Sequence, residues 1–239
     1  MIDALTAVVN ACNTKIPQLD AVANNIANIH TPGFKSERLY FRVESTGGNA
    51  GAVQKDVSYT PSVIIDFSTG TLQRTGNPLD VAIQGDGFFV VRTKDGEAYT
   101  RKGNFTVNGK RELVTPEGDL VMGESGSIVL PGQDIRIGEK GDISSGGAQI
   151  GRLKIVKADR QDQLIKSGAG LFVDPEKKAG IKQYTEAEVR AGHLENSNVQ
   201  ALKEMVDMIN IQRSVESYQK VILTLGDQDK SSTGRIGKL

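Results

Sequence analysis

Apolar residues recur at alternating spacings of three and four along the start of the chain, from Ile2 to Ile26. This heptad pattern predicts an amphipathic helix that packs lengthwise against another helix. Pro17 lies inside the pattern and removes one backbone hydrogen bond, so we expect a kink or a break between Thr14 and Pro17. The stripe consists of Ile2, Leu5, Val9, Cys12, Ile16, Leu19, Ala23 and Ile26.

A second helix with a wide apolar surface is predicted near the other end of the chain. Its stripe shifts between Ile209 and Ile211, so the apolar surface is broader than one partner helix needs. We expect contacts with more than one neighbour, and the alternative is a wide face packed on the chain's own β domain. The pattern stops at Gly226, and a polar tail of undetermined conformation follows. The stripe consists of Val199, Leu202, Val206, Met208, Ile209, Ile211, Val215, Tyr218, Ile222 and Leu225.

Between these helices the chain alternates short apolar runs with turn signals. Over residues 76–194 the turn signals are dipeptides such as Asp95-Gly96 and Asn108-Gly109, which favour hairpins, and we interpret Asp86-Gly87 in the same way. No helical stretch interrupts the series, so we expect an antiparallel sandwich or a partly closed barrel. Residues 36–75 are extended, with strand-like runs at 38–43 and 62–67.

The pattern therefore predicts an α+β fold with three regions. Residues 1–30 and 196–239 form a discontinuous coiled-coil domain of terminal helices. Residues 31–75 form an extended linker or minor β subdomain, and residues 76–195 form a mainly antiparallel β domain.

Composition excludes several classes of function. Lys and Arg together number 29, as do Asp and Glu, and aromatic residues make up only 5%, which argues against a nucleic-acid partner. No run approaches the ~18 apolar residues of a membrane span, so no membrane insertion is expected. The first residues carry Asp3 and no cationic segment, unlike a cleavable secretory signal.

The sequence offers no catalytic, cofactor or metal site. His30, His193 and Cys12 do not have the spacing of a zinc site, and no phosphate-binding loop is present. We interpret Cys12, on the first apolar stripe, as a small apolar residue rather than a reactive thiol.

The end of the first helix carries the most distinctive motif. Residues 31–34 match a type II turn, in which Pro32 fixes φ and Gly33 supplies a positive φ. The asparagines before the turn either bind carbonyls at the helix end or bind polar groups on a partner, and the sequence does not decide between these roles. The motif residues are Asn24, Asn25, Asn28, Thr31, Pro32, Gly33 and Phe34.

Residues 23–35, with the sequence ANNIANIHTPGFK, resemble the N-terminal signature of the bacterial flagellar axial proteins, the rod and hook family. Residues 76–89 and 99–105 are similar to the core signature of that family, and residues 195–213 to its C-terminal signature. Residues 151–158 and 170–172 look more like the proximal-rod subunit than the distal-rod subunit. The short chain argues against the hook protein itself.

This resemblance implies a structural subunit of the flagellar basal-body rod, located within the periplasm. Its paired terminal helices would polymerise into a hollow drive shaft that transmits motor torque and passes exported subunits. The implied partners are copies of itself, other flagellar rod subunits and the flagellar type III export apparatus, which would export the chain unprocessed. A distal-rod or hook-type subunit of the same family is the alternative.

A function from another class is a hydrolase or glycan-binding β domain with a helical dimerisation clamp. That function requires a pocket with convergent polar groups, and the sequence does not reveal one. The resemblance and the two apolar stripes favour the structural subunit, with the stripe residues at the subunit interface.

A dilute monomer should have protease-sensitive ends and a resistant body from about Gly76 to Leu194. The reason is that two helices alone cover only part of their apolar surface, so isolated helices fray. Limited proteolysis with mass spectrometry tests this expectation. Equal resistance of the ends and the body would contradict it.

Overall fold

The computed structural model describes residues 2–45, 57–132, 134–168 and 170–236, which belong to two compact units. The first unit comprises Met1–Ala27, Glu37–Asp66 and Gln200–Leu239, and the second comprises Asn28–Ser36 and Phe67–Val199. The chain therefore changes unit after residues 27, 36, 66 and 199. The intermediate region predicted at 31–75 is divided between both units.

The first unit is a pair of helices with a β-hairpin. Helix α1 (Ile2–Ala27) and helix α2 (Ala201–Ile236) pack along each other. Strands β1 (Glu37–Ser45) and β2 (Val57–Ile65) pair antiparallel, with Glu37 opposite Ile65, and β1 also contacts α1. The two strand-like runs predicted in this region are thus partners of one another.

Helix α1 runs without interruption through Pro17, so the helix does not break between Thr14 and Pro17. Proline has a φ compatible with a helix, but it removes one backbone hydrogen bond and its ring crowds the carbonyl four residues earlier, at a cost of ~3 kcal/mol. Packing of α1 against α2 and β1 offsets that loss. Next to the proline, the Thr14 hydroxyl donates to the Ala11 carbonyl at 2.7 Å.

Helix α2 begins at Ala201 and continues beyond Gly226 to Ile236. The apolar pattern stops at Gly226, but the backbone remains helical. A single glycine inside a helix costs about 1 kcal/mol relative to alanine, which is too little to end a long helix by itself. Val199, predicted as part of this helix, precedes it and is buried in the second unit.

The described residues of the second unit form seventeen short strands and one 3₁₀ turn at Gln161–Gln163. The strands are β3 (Leu72–Arg74), β4 (Val81–Gln84), β5 (Phe88–Thr93), β6 (Gly96–Thr100), β7 (Thr106–Val107), β8 (Leu113–Val114), β9 (Leu120–Gly123), β10 (Gly126–Ser127), β11 (Ile135–Ile137), β12 (Asp142–Ser145), β13 (Ala148–Arg152), β14 (Ile155–Ala158), β15 (Ile165–Lys166), β16 (Leu171–Val173), β17 (Ile181–Gln183), β18 (Glu188–Ala191) and β19 (His193–Glu195).

All the strand pairings are antiparallel, which confirms the predicted fold class. The largest sheet has ten strands in the order β15-β16-β6-β5-β9-β8-β7, with β14 on β5, β17 on β14 and β10 on β9. Strands β11-β12-β13 form a separate sheet, and β18 pairs with β4 and β19 with β3.

The turn dipeptides connect hairpins as predicted, with one exception. Gly96, at φ 132°, is the first residue of β6, which pairs with β5, and Gly141, at φ 78°, lies between the paired strands β11 and β12. The hairpin predicted at Asp86-Gly87 is wrong, because β4 pairs with β18 and not with β5. The backbone at residues 85–87 instead binds a buried side chain, as described below.

The core of the second unit is formed by the inward-facing residues of these sheets. Val81, Val91, Val121 and Val189 have no measurable exposure. Phe89 packs edge-to-face on Phe105 with a centroid distance of 5.1 Å. Burial of this core gives the second unit its own source of stability.

Candidate interaction surface

The predicted apolar stripe of α1 divides into two groups of side chains. Cys12, Leu19 and Ile26 are half-buried, whereas Val9 (37% exposed), Ile16 (49% exposed) and Ala23 lie on the open side of the helix. Each group repeats every seven residues, so each occupies one side of α1. The side chain of Leu5 lies outside the residues that the structure describes.

The predicted stripe of α2 also divides, and the two parts lie on opposite faces. The half-buried residues continue at spacings of three and four from the buried Glu204, which places them on the face that packs against α1. They are Met208, Ile211, Val215, Tyr218, Ile222 and Leu225. The predicted shift between Ile209 and Ile211 is therefore a change of face.

The opposite face of α2 exposes four large apolar side chains in its first turns. Leu202 is 76% exposed, Met205 50%, and Val206 and Ile209 49% each. At 100° per residue these four side chains cluster within about 100° of arc on the side away from Glu204. We call these four residues the α2 patch. Sequence analysis identified three of them and missed Met205, although it lies three residues after Leu202.

Asn25 of the motif binds within the first unit. Its side chain is 1% exposed. The Asn25 amide nitrogen donates to the Glu37 carbonyl at 2.9 Å and to Glu204 Oε2 at 3.2 Å, and the Glu37 N–H donates to Asn25 Oδ1 at 2.9 Å. The side-chain amide of Asn25 thus binds both the backbone N–H and the backbone C=O of Glu37, the first residue of β1. This geometry decides the open question for Asn25 in favour of an internal role.

The other two asparagines differ from Asn25. Asn24 is exposed, and its amide lies 3.4 Å from Glu37 Oε2. Asn28 Oδ1 accepts a hydrogen bond from the Thr31 hydroxyl at 3.1 Å, and the Asn28 carbonyl accepts the Thr31 N–H. Asn28 therefore supports the turn that follows it.

The predicted turn at residues 31–34 is present in the second unit. The Phe34 N–H donates to the Thr31 carbonyl, Pro32 is half-buried, and Gly33 has φ 66°. A Cβ at Gly33 would lie 2.4 Å from the Arg101 carbonyl carbon, so both the backbone angle and the space require glycine. Phe34 is buried, with Lys166 Nζ 3.8 Å from its ring centroid.

Three charged side chains meet beneath this turn, and none is more than 3% exposed. Lys35 Nζ donates to Glu195 Oε1 at 2.7 Å and to the Ser68 carbonyl at 2.6 Å. Arg101 Nε lies 3.0 Å from Glu195 Oε2 in an ion pair without hydrogen-bond alignment. We call Lys35, Arg101 and Glu195 the charge cluster.

Backbone oxygens complete the surroundings of the charge cluster, which carries two positive charges and one negative. The Arg101 guanidinium donates to the carbonyls of Gly85 and Gly87, both at 2.7 Å. Burial lowers the pKa of Arg101, while the nearby Glu195 carboxylate acts in the opposite direction. The carbonyls therefore solvate the second positive charge in place of water.

Glu195 and Asn198 tie together the segments at which the chain enters and leaves the second unit. Glu195 Oε1 accepts the Gly70 N–H at 2.9 Å, and the Glu195 carbonyl accepts the Gly33 N–H at 2.7 Å. Asn198 Oδ1 accepts the Ser36 N–H at 2.8 Å, and its amide donates to Ser68. Sequence analysis did not predict this arrangement, because its members have no periodic spacing.

Two further observations concern the described residues only. They contain no group of three His, Cys, Asp or Glu side chains placed to hold a metal ion. No helix in this part of the chain has the length and apolar character needed to cross a membrane.

Comparison with known protein families gives three matches in chain order. A model of the flagella basal body rod protein matches residues 5–35, the flagellar hook protein FlgE/F/G D1 domain matches 82–145, and the flagellar basal body rod FlgEFG C-terminal region matches 190–234. These segments contain the turn motif, the charge-cluster residues and the α2 patch.

Individual relatives match along nearly the whole chain. The flagellar basal-body rod protein FlgF of Caulobacter vibrioides is 35% identical over 231 residues, covering 93% of both chains. FlgF of Salmonella typhimurium is 35% identical, covering 99% of this chain and 97% of its own. The rod protein FlgG of Bacillus subtilis is 33% identical, covering 87% of this chain and 89% of its own.

Replacing Gly33 with valine should prevent the turn from forming. A β-branched residue resists positive φ, and its Cβ would collide with the Arg101 backbone. We expect a lower melting temperature of the second unit and loss of motility in cells. Gly109→Val is a matched control, because a Cβ there meets nothing within 4 Å and its φ is ordinary. Equal melting temperatures for the two variants would contradict the requirement for glycine.

Replacing Glu195 with glutamine should destabilise the second unit by about 3–5 kcal/mol, because Lys35 and Arg101 lose their counter-charge while buried. Urea denaturation at neutral pH measures the change. Glu188→Gln removes an exposed ion pair with Arg190 and should cost at most about 1 kcal/mol. Similar decreases in the free energy of unfolding for the two variants would show that the buried charge cluster contributes no more to stability than an exposed ion pair.

Proposed function

The chain belongs to the family of bacterial flagellar basal-body rod proteins, and on this premise we propose that it assembles through the exposed apolar residues of its two helices. It is a structural subunit of the rod in the flagellar basal body, and it assembles with other rod subunits. The observation that carries the proposal is the α2 patch, which lies on the face of α2 away from α1.

Burial of the α2 patch supplies the free energy for assembly in this proposal. Full burial of one large apolar side chain contributes about 1.5–3 kcal/mol relative to full exposure. The four side chains are between 49% and 76% exposed, so much of this contribution is still available to a neighbouring subunit. A strip of this kind on a single helix face suits an approaching helix.

The second contact surface in the proposal is the open side of α1, formed by Val9, Ile16 and Ala23. Two different surfaces on one chain favour a head-to-tail contact, which produces an open helical assembly unless the rotation closes into a ring. The half-buried residues hold α1 and α2 together in each subunit and complete the interface at their exposed edges. They are Cys12, Leu19, Ile26, Ile211, Val215, Tyr218, Ile222 and Leu225.

The domain organisation is part of the same proposal. We propose that the terminal helices within residues 1–30 and 196–239 form the hollow core of the rod. In this arrangement torque passes through the helices, and exported subunits pass through the channel that they enclose.

We further propose that the flagellar type III export apparatus exports the chain without cleavage. Supporting this, α1 packs along α2, so removal of α1 would remove half of the helix pair.

Replacing Leu202 or Ile209 with aspartate should abolish rod assembly while leaving the second unit folded. A charge in an apolar contact is strongly unfavourable, and loss of one such contact weakens association by more than about tenfold. Motility and rod content of basal bodies measure assembly, and the melting temperature measures folding. Ser217→Asp adds the same charge on the same helix outside the patch and should remain motile. Full motility of both Leu202→Asp and Ile209→Asp would remove the α2 patch from the interface.

A further inference from the structure

Strand β11 has a free edge. It occupies one end of the three-stranded sheet β11-β12-β13, and the described strands include none that pairs with its other side. The side chain of Ile137 is buried in the core, and that of Ile135 packs against the core. The strand is therefore held in place with one side of its backbone open.

The hydrogen-bond pattern shows which backbone groups point outward from this edge. The Gly138 N–H donates to the Asp142 backbone carbonyl at 2.8 Å, and the Gly146 N–H donates to the Asp134 backbone carbonyl at 3.3 Å. In an antiparallel ladder, hydrogen-bonded and non-bonded residue pairs alternate. The backbone N–H and C=O groups of Arg136, which is opposite Ser144, therefore face β12. The N–H and C=O groups of Ile135 and Ile137 consequently point away from β12 toward the free edge.

This edge borders a shallow groove of about 600 Å³ within the second unit. The opposite wall is made by β3, β19 and the turn before β19, including Arg74, Gly192 and His193. Arg74 and His193 are directly opposite each other on the paired strands β3 and β19. His193 Nδ1 lies 2.9 Å from the Ala191 carbonyl oxygen, within hydrogen-bond distance.

The groove is basic although the whole chain has no net charge. Its described lining contains Arg74, Arg136 and His193 and no acidic residue. Arg136 is exposed and pairs loosely with Asp134, at 3.5 Å, beside the groove. Arg74 forms no ion pair with any residue that the structure describes. The groove thus combines an open strand edge with an uncompensated positive charge.

We propose that this groove binds an extended acidic segment of a neighbouring rod subunit by strand addition to β11. The inference rests on the proposed function only in naming a rod subunit as the source of the segment. An extended segment provides alternating N–H and C=O groups for Ile135 and Ile137, which a helix cannot provide because its own backbone is already paired. A carboxylate on that segment pairs with Arg74 and gives the contact its specificity and orientation.

The first test measures binding of a defined probe to the full chain by NMR. The probe is a capped pentapeptide of alternating valine and glutamate, and the control peptide carries lysine in place of glutamate. We expect the acidic peptide to shift the amide signals of Ile135, Ile137 and Gly192. We also expect roughly tenfold weaker binding for the lysine peptide, because like charges repel across the groove.

Matched variants then test whether the positive charge of Arg74 contributes to peptide binding. Arg74→Glu should weaken binding of the acidic peptide by roughly tenfold and improve binding of the lysine peptide. Lys110→Glu makes the same charge change at an exposed position that does not line the groove and should leave both affinities unchanged. Equal binding of the two peptides, or shifts that spare Ile135 and Ile137, would overturn the strand-addition site.

A cellular test identifies the source of the segment. If a rod subunit supplies it, Arg74→Glu should reduce rod content and motility, whereas Lys110→Glu should not. Wild-type motility of Arg74→Glu would overturn the assignment to a rod subunit. The peptide experiment is independent of rod assembly, so Leu202→Asp should bind the acidic peptide like the wild type even if the α2 patch has another role.

Discussion

The buried carboxylate of Glu195 is the interaction on which the second unit depends. It forms ion pairs with Lys35 and Arg101 and accepts the Gly70 N–H. The backbone carbonyl of the same residue accepts the Gly33 N–H. Removing three charges from water is costly, and the cost is offset only when all the partners are in place. The turn at residues 31–34 and the segment around Ser68 therefore become ordered together with the β sheets.

A smaller polar network has an equivalent role in the first unit. Asn25 and Glu204 are both nearly buried, and they meet between two helices whose other contacts are mainly apolar. A polar pair in such a seam has only one register in which both members are satisfied. Because Asn25 also binds the backbone of Glu37, the same side chain fixes where β1 begins relative to α1.

The sequence was most informative where a local rule operates. Heptad spacing located both helices, Gly33 signalled its positive φ, and glycine dipeptides marked most of the hairpins. The charge cluster could not be predicted, because Lys35, Arg101 and Glu195 are distant in sequence and only the fold brings them together. The hairpin predicted at Asp86-Gly87 failed for the same reason, since β4 pairs with the distant strand β18 and the carbonyls of Gly85 and Gly87 bind Arg101.

The two faces of α2 show a different limit of sequence analysis. Periodicity reveals that a helix is apolar on more than one side, but it does not tell which side a distant helix of the same chain covers. Glu204 would have predicted the wrong face, because a glutamate is usually exposed. Only its pairing with Asn25 explains why it lies toward α1.

The small size of the α2 patch has a kinetic consequence. In the proposed assembly, two free subunits that meet through one α2 patch gain little compared with the translational and rotational entropy that they lose. A subunit arriving at the end of an existing rod can contact several neighbours at once, and each later contact forms at a high effective concentration. Spontaneous nucleation in solution is then slow while elongation is favourable, so growth is confined to the place where the structure has already begun.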